Sequence, residues 1–172
     1  MLELINFFNH QFFIIIGGLA TILMIAGFIY SLYVIARGVL PVWYRLGKGL
    51  SKRRIAIFSD SQYGSLEQMI SDSKIFRKSN IIKINKDDLK KADGETIFLV
   101  HWGDYKDKIQ EILTLKKDST ALIIYAPQNE GRIGQEEMDK INLHRNSIVV
   151  NFRGRLLNDI LTSMITTSYE HN

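Results

Sequence analysis

The stretch Phe12–Ala36 (FFIIIGGLATILMIAGFIYSLYVIA) constrains everything after it: 25 consecutive residues carry no charge. A helix of that length, rising about 1.5 Å per residue, crosses a hydrocarbon core of about 30 Å with some tilt. A cleaved signal peptide has an apolar core of only about 7–15 residues behind a basic start. Here the start carries Glu3 and neither Lys nor Arg. A buried helix of a soluble protein would need a polar stripe, and none is visible. The segment is therefore read as a transmembrane helix.

The flanks predict its orientation. Glu3 and His10 precede it, whereas Arg37, Arg45, Lys48, Lys52, Arg53 and Arg54 follow, with no acid before Asp60. Lys and Arg close to a span mark the cytoplasmic side. The N-terminus is thus expected outside and the remainder of the chain in the cytoplasm. Tyr30, Tyr33, Trp43 and Tyr44 suit the aromatic belt at that interface. Within the span, Gly17/Thr21 and Gly27/Ser31 are small residues four apart, a spacing that lets helices approach closely. A homo-oligomer is the corresponding expectation.

Charge is distributed unevenly. The chain has a formal net charge of +4 over 172 residues, but residues 37–54 hold six basic residues and no acid. From Ile55 onward there are 16 basic and 17 acidic residues. The excess sits where anionic lipid would attract it, so the membrane is an expected partner and general nucleic-acid binding by the domain is not. With no Cys, disulfides, thiolate catalysis and Cys-ligated metals are excluded. The predicted organisation is an external tail and span over 1–36, a basic amphipathic juxtamembrane segment over 37–53 that restarts after Pro41, and a domain over 54–172.

The domain alternates strands and helices. Strands are expected at Ile55–Phe58, Ile81–Ile84, Thr96–Val100, Thr120–Tyr125 and Ser147–Val150. Helices are expected at Ser65–Phe76, Asp87–Ala92, Tyr105–Leu115, Gln135–Leu143 and Leu156–Thr167, from their apolar spacing. That alternation predicts an α/β fold, a five-stranded parallel doubly wound sheet with helices on both faces. One reversal of the winding gives strand order 2-1-3-4-5.

In such sheets ligands bind beyond the carboxyl ends of the strands, near the switch point. Four loops qualify. Ser59, Asp60 and Ser61 follow the first strand ahead of a helix, where free N–H groups suit a phosphate or a plain cap. His101, Trp102 and Asp104 follow the third, and Trp102 offers a ring on which a base can stack. Gln128 and Arg132 follow the fourth. Arg153 and Arg155 follow the fifth, at a helix start that disfavours cations, which points to an anionic partner or to a pair of solvated arginines. No GxGxxG or Walker pattern occurs, the histidines have no metal-ligand spacing, and no cofactor is predicted.

The order of elements is similar to response-regulator receivers, but Asp60, His101 and Arg153 stand where that family needs an acidic pair, an Asp and a Lys, so phosphorelay is rejected. The chain also resembles TIR domains: Val100-His101-Trp102-Gly103-Asp104-Tyr105 runs into a helix carrying Glu111 at roughly the family's spacing. The resemblance implies a TIR-like module, in which Glu111 would be the carboxylate if NAD is cleaved. The family's usual Ser/Cys neighbours of the Glu are missing. The block Asn151–Ile160 (NFRGRLLNDI) resembles small membrane-anchored proteins of bacterial anti-phage defence. That likeness implies an effector in the bacterial inner membrane whose cytoplasmic domain senses a nucleotide second messenger or a cytoplasmic defence partner, and which assembles to perturb the membrane. The alternatives are an NAD-consuming enzyme and a non-catalytic docking module.

Overall fold

The structure, a computed structural model, describes residues 10–44, 47 and 53–167. Residues 1–9, Arg45, Lys48 and Lys52, and so most of the expected tail and part of the juxtamembrane segment, lie outside them. Two compact units separate between Arg45 and Leu46.

The first unit is a single helix, α1, Gln11–Tyr44, whose most apolar stretch has a mean hydropathy of 2.6 and which buries none of it against the chain. It is long and apolar enough to cross a membrane. Two of its hydroxyls bond within the helix. Thr21 donates to the Gly17 carbonyl and Ser31 to the Gly27 carbonyl, each at 2.8 Å. Arg37 reaches back to the hydroxyl of Tyr33.

The helix runs through Pro41 to Tyr44, and most of the juxtamembrane segment expected beyond it lies outside the described residues. Proline lacks the N–H that would bond four residues back. The helix absorbs this by widening to a π turn over Ile35–Val39, with Leu40 N–H bonded to the Ile35 carbonyl.

The second unit is the α/β domain. Its strands are β1 Ile55–Phe58, β2 Ile81–Lys83, β3 Ile97–His101, β4 Ala121–Tyr125 and β5 Ser147–Val150. All pair in parallel in the order 2-1-3-4-5. The helices are α2 Tyr63–Asp72, α3 Trp102–Tyr105, α4 Ile109–Leu115, α5 Gln135–Asn142 and α6 Arg153–Thr167. β1, β3 and β4 are buried at every residue because helices cover both faces, so their sequences read as unbroken apolar runs.

Strand residues divide by parity. Ile55, Ile57, Ile97, Leu99, Ala121 and Ile123 meet Leu66 and Ile70 of α2 and Leu156, Ile160 and Met164 of α6. Ala56, Phe58, Phe98, Val100, Leu122 and Ile124 meet Tyr105, Ile109, Ile112, Leu113 and Ile141 on the other face.

Two expected helices are altered. The β2–β3 connection shortens to a 3₁₀ turn, Leu89–Ala92. The helix expected over Tyr105–Leu115 starts earlier, at Trp102, and is interrupted by a 3₁₀ turn at Lys106–Lys108. The interruption lets the buried Tyr105 hydroxyl donate to the Ile84 carbonyl at 2.6 Å, tying α3 to the end of β2.

Candidate functional site

β1 and β3 are neighbours although β2 separates them in sequence, so the winding reverses between them. Their carboxyl ends define the crevice where this fold places its ligands.

The polar residues there converge on one carboxylate. Asp104, in the first turn of α3, accepts at Oδ2 from the backbone N–H groups of Asp60 and Ser61 at 2.8 and 3.0 Å. The Ser59 and Ser61 hydroxyls donate to it at 2.9 Å. Ser59 is fully buried, and its oxygen also accepts from the Gln62 N–H at 3.1 Å, closing the turn into α2. The loop after β1 therefore turns the Asp60 and Ser61 N–H groups onto the chain's own Asp104 carboxylate. Burial alone would raise the Asp104 pKa. The Ser61 N–H, the His101 ring, the Ser61 hydroxyl and the Asp60 N–H outweigh it and hold the carboxyl well below its usual range.

His101 ends β3 and is 1% exposed. Its Nδ1 lies 2.9 Å from Asp104 Oδ2 and its Nε2 lies 2.7 Å from Glu130 Oε2. Both are ion-pair distances, but neither contact has hydrogen-bond alignment. Glu130 comes from the loop after β4, and its other oxygen accepts from Gln62 Nε2 at 2.6 Å. Gly103 makes room for this crossing: a Cβ there would sit 2.5 Å from Glu130 Oε2 and 3.2 Å from the His101 ring. Tyr125 of β4 packs beside that ring. Three loops, after β1, β3 and β4, are thus joined by the bonds of Asp104 to the β1 loop and of Glu130 to Gln62, around the buried His101 ring.

The remaining expected site residues divide into separate places. Trp102 is 7% exposed and belongs to the apolar core, so its bulk covers the sheet rather than offering a face for a base. The Asp60 side chain points to Lys83, 3.9 Å away. Gln128 and Arg132 share a half-open cleft of about 540 Å³ beside the ends of β4 and β5, with Asn151 and apolar Ile133, Met138 and Val149. Arg153 crosses to α2 and donates to the carbonyl of Ser65 at 2.9 Å and to its hydroxyl. Arg155 stays exposed, 4.0 Å from Asp159 one turn on, a solvated intrahelical pairing. Glu111 lies elsewhere, on α4, where it lines a more open cleft of about 680 Å³ with Lys86, Asp87 and Lys90. It is paired with Lys108 at 2.6 Å.

Glu130 and Gln62 are the network members that sequence reasoning passed over. Their roles arise only from the pairing of β1, β3 and β4, and no local pattern announces them. Among the described residues no group of three or more His, Asp or Glu side chains is arranged to hold a metal ion. No family model matches the chain, and no curated protein or solved structure is significantly similar to it.

Proposed function

We infer that this chain is a membrane-anchored signalling subunit whose domain receives a nucleotide-type ligand at the carboxyl edge of its sheet. The observation that carries this reading is the cleft at β4 and β5. Its volume suits a small ligand, its floor of Ile133, Met138 and Val149 suits a base, and Arg132, Gln128 and Asn151 supply polar groups at its rim. The adjoining lock of Asp104, His101 and Glu130 lends rigidity, because Glu130 belongs to the same β4 loop as Gln128 and Arg132. A ligand drawing on that loop would act on the lock, and association of domains would bring their α1 helices together. The resemblance to membrane-anchored anti-phage proteins gives this reading its setting, an effector that perturbs the bacterial inner membrane on assembly. In that setting the N-terminus is outside and the domain cytoplasmic, as the basic flank supports.

Titrating the full-length protein in detergent with cyclic oligonucleotides, dinucleotides and NAD tests the reading. Saturable binding to one class is expected, weakened roughly tenfold or more by Arg132→Ala, the loss of a charge-assisted contact. Absence of binding to all of them removes the ligand-sensing role and leaves a docking module for a protein partner.

One observation favours a second reading, an NAD-consuming TIR-type enzyme: Glu111 borders the larger cleft. Release of nicotinamide from NAD that disappears in Glu111→Ala would establish it. No release, or release unchanged in that variant, ends it.

A further inference from the structure

In a parallel sheet every segment entering a strand lies at one edge and every segment leaving lies at the other. Sorting the domain's charges this way separates them. The entering segments, 53–54, 74–80, 93–96, 116–120 and 144–146, hold eight Lys or Arg against three acids. The leaving segments, 59–62, 84–88, 102–108, 126–134 and 151–155, hold six of each. A domain close to neutral is therefore polarised along its strands.

Two of the three acids at the basic edge are already engaged. Glu95 is 6% exposed and lies 3.1 Å from Arg54 Nε. Asp93 holds Lys117 at 2.7 Å. The segment with the most cations is 74–80, where Lys74, Arg77 and Lys78 are exposed and no acid is present. Lys78 reaches back to Glu67 at 3.6 Å yet keeps 80% of its side chain in solvent. Among these cations Ile75 is 38% exposed, while Phe76 turns into the core at 5%. Lys74 has φ 57, which turns the chain at the end of α2.

We propose that this edge is a docking surface for an anionic lipid bilayer, with Lys74, Arg77 and Lys78 meeting headgroups and Ile75 reaching the interface between them. Connectivity selects the lipid surface as occupant. Arg53 opens the basic edge, and only residues 45–52 separate it from Tyr44 at the end of α1. A chain of that length reaches at most about 30 Å. The proposal rests on the reading that α1 spans a membrane. The tether then keeps the basic edge beside the bilayer, where each Lys or Arg strengthens binding to anionic lipid about fivefold. The leaving edge, with the cleft and the carboxylate lock, would face away from the lipid.

The chain has no Cys, so one introduced thiol labels one site. Full-length protein carrying Ser79→Cys or Asn129→Cys is labelled with a fluorophore and reconstituted into phosphatidylcholine vesicles with and without phosphatidylglycerol. Quenching by a nitroxide-headgroup lipid is then read. Ser79 and Asn129 lie on exposed segments of opposite edges. The expected result is quenching at Ser79 several-fold above that at Asn129, present only with phosphatidylglycerol and lost in high salt. The triple variant Lys74→Glu, Arg77→Glu, Lys78→Glu should reduce Ser79 to the Asn129 level. Equal quenching at both sites, or quenching indifferent to lipid charge and salt, overturns the proposal without recourse to the variant. Flotation of the same vesicles separates the two claims. Protein that fails to float refutes the span, whereas protein that floats with Ser79 unquenched refutes the docking alone.

Discussion

Replacing Asp104 by Asn removes the charge on which the switch-point loops converge and changes little else. The side chain keeps its size and is only 16% exposed, so solvent screens little of what is lost. In the folded chain this carboxylate accepts two backbone N–H groups and two hydroxyls and faces the His101 ring. Asparagine retains one acceptor and turns an NH₂ toward groups that themselves donate. Hydrogen bonds to a charged group contribute about 1.5–3 kcal/mol each net, and an unmatched buried donor costs about 1–3 kcal/mol. Partial retention by the remaining carbonyl brings the expected loss to roughly 2–4 kcal/mol.

The pH dependence gives a second check. The folded-state Asp104 carboxyl lies below its ordinary value, so its contribution is complete above the unfolded value of about 4 and fades as pH falls toward the folded one. Urea unfolding of the full chain in detergent, followed by Trp102 in a Trp43→Phe background, measures both. Asp104→Asn should shift the midpoint strongly at pH 7 and by a smaller but still clear amount at pH 3, where only about the first 1 kcal/mol of the contribution has been lost. A variant as stable as the parent at pH 7, or a difference that is the same at both pH values, would refute the reasoning.

Other perturbations test neighbouring parts. Tyr105→Phe removes the donor to the Ile84 carbonyl and should lower stability by about 1–2 kcal/mol in the same unfolding assay. Gly103→Ala places a methyl against Glu130 Oε2, the movable end of a side chain. It should cost only about 1 kcal/mol while separating Glu130 from His101, seen as a changed His101 ring signal in NMR. Glu95 has its pKa raised by burial, which the nearby Arg54 only partly offsets. Its charge therefore favours folding least once pH rises through the folded value. Glu95→Gln should raise the melting temperature at pH 7 relative to the parent and lose that advantage near pH 4.

The fold was legible because burial on both faces writes a parallel strand as an apolar run. Ile55–Phe58 and Ser147–Val150 match their expected bounds, and the alternation with helices led directly to the order 2-1-3-4-5. The helix after β3 was less legible. Its apolar spacing continues through Tyr105–Leu115, but the tyrosine's bond to Ile84 and the 3₁₀ turn that follows reset the phase. Pro41 suggested a break, and the π turn that accommodates it depends on backbone adjustment one turn earlier. At the site, His101 and Asp104 stood close enough in sequence to be noticed. Glu130 did not, because a long-range strand pairing delivers it. The Ser59–Ser61 loop was read from its hydroxyls and its place before a helix. That its N–H groups meet a carboxylate of the same chain could emerge only once β1 and β3 were adjacent.

The account depends most on α1 holding the domain at the cytoplasmic face of a membrane. Cells expressing the Ser79→Cys chain can be extracted with alkaline carbonate and, in parallel, treated with a thiol reagent that does not cross membranes. The protein should stay with the membrane pellet, and Ser79→Cys should react only after the cells are opened. Release into the carbonate supernatant, or labelling in intact cells, would contradict the account.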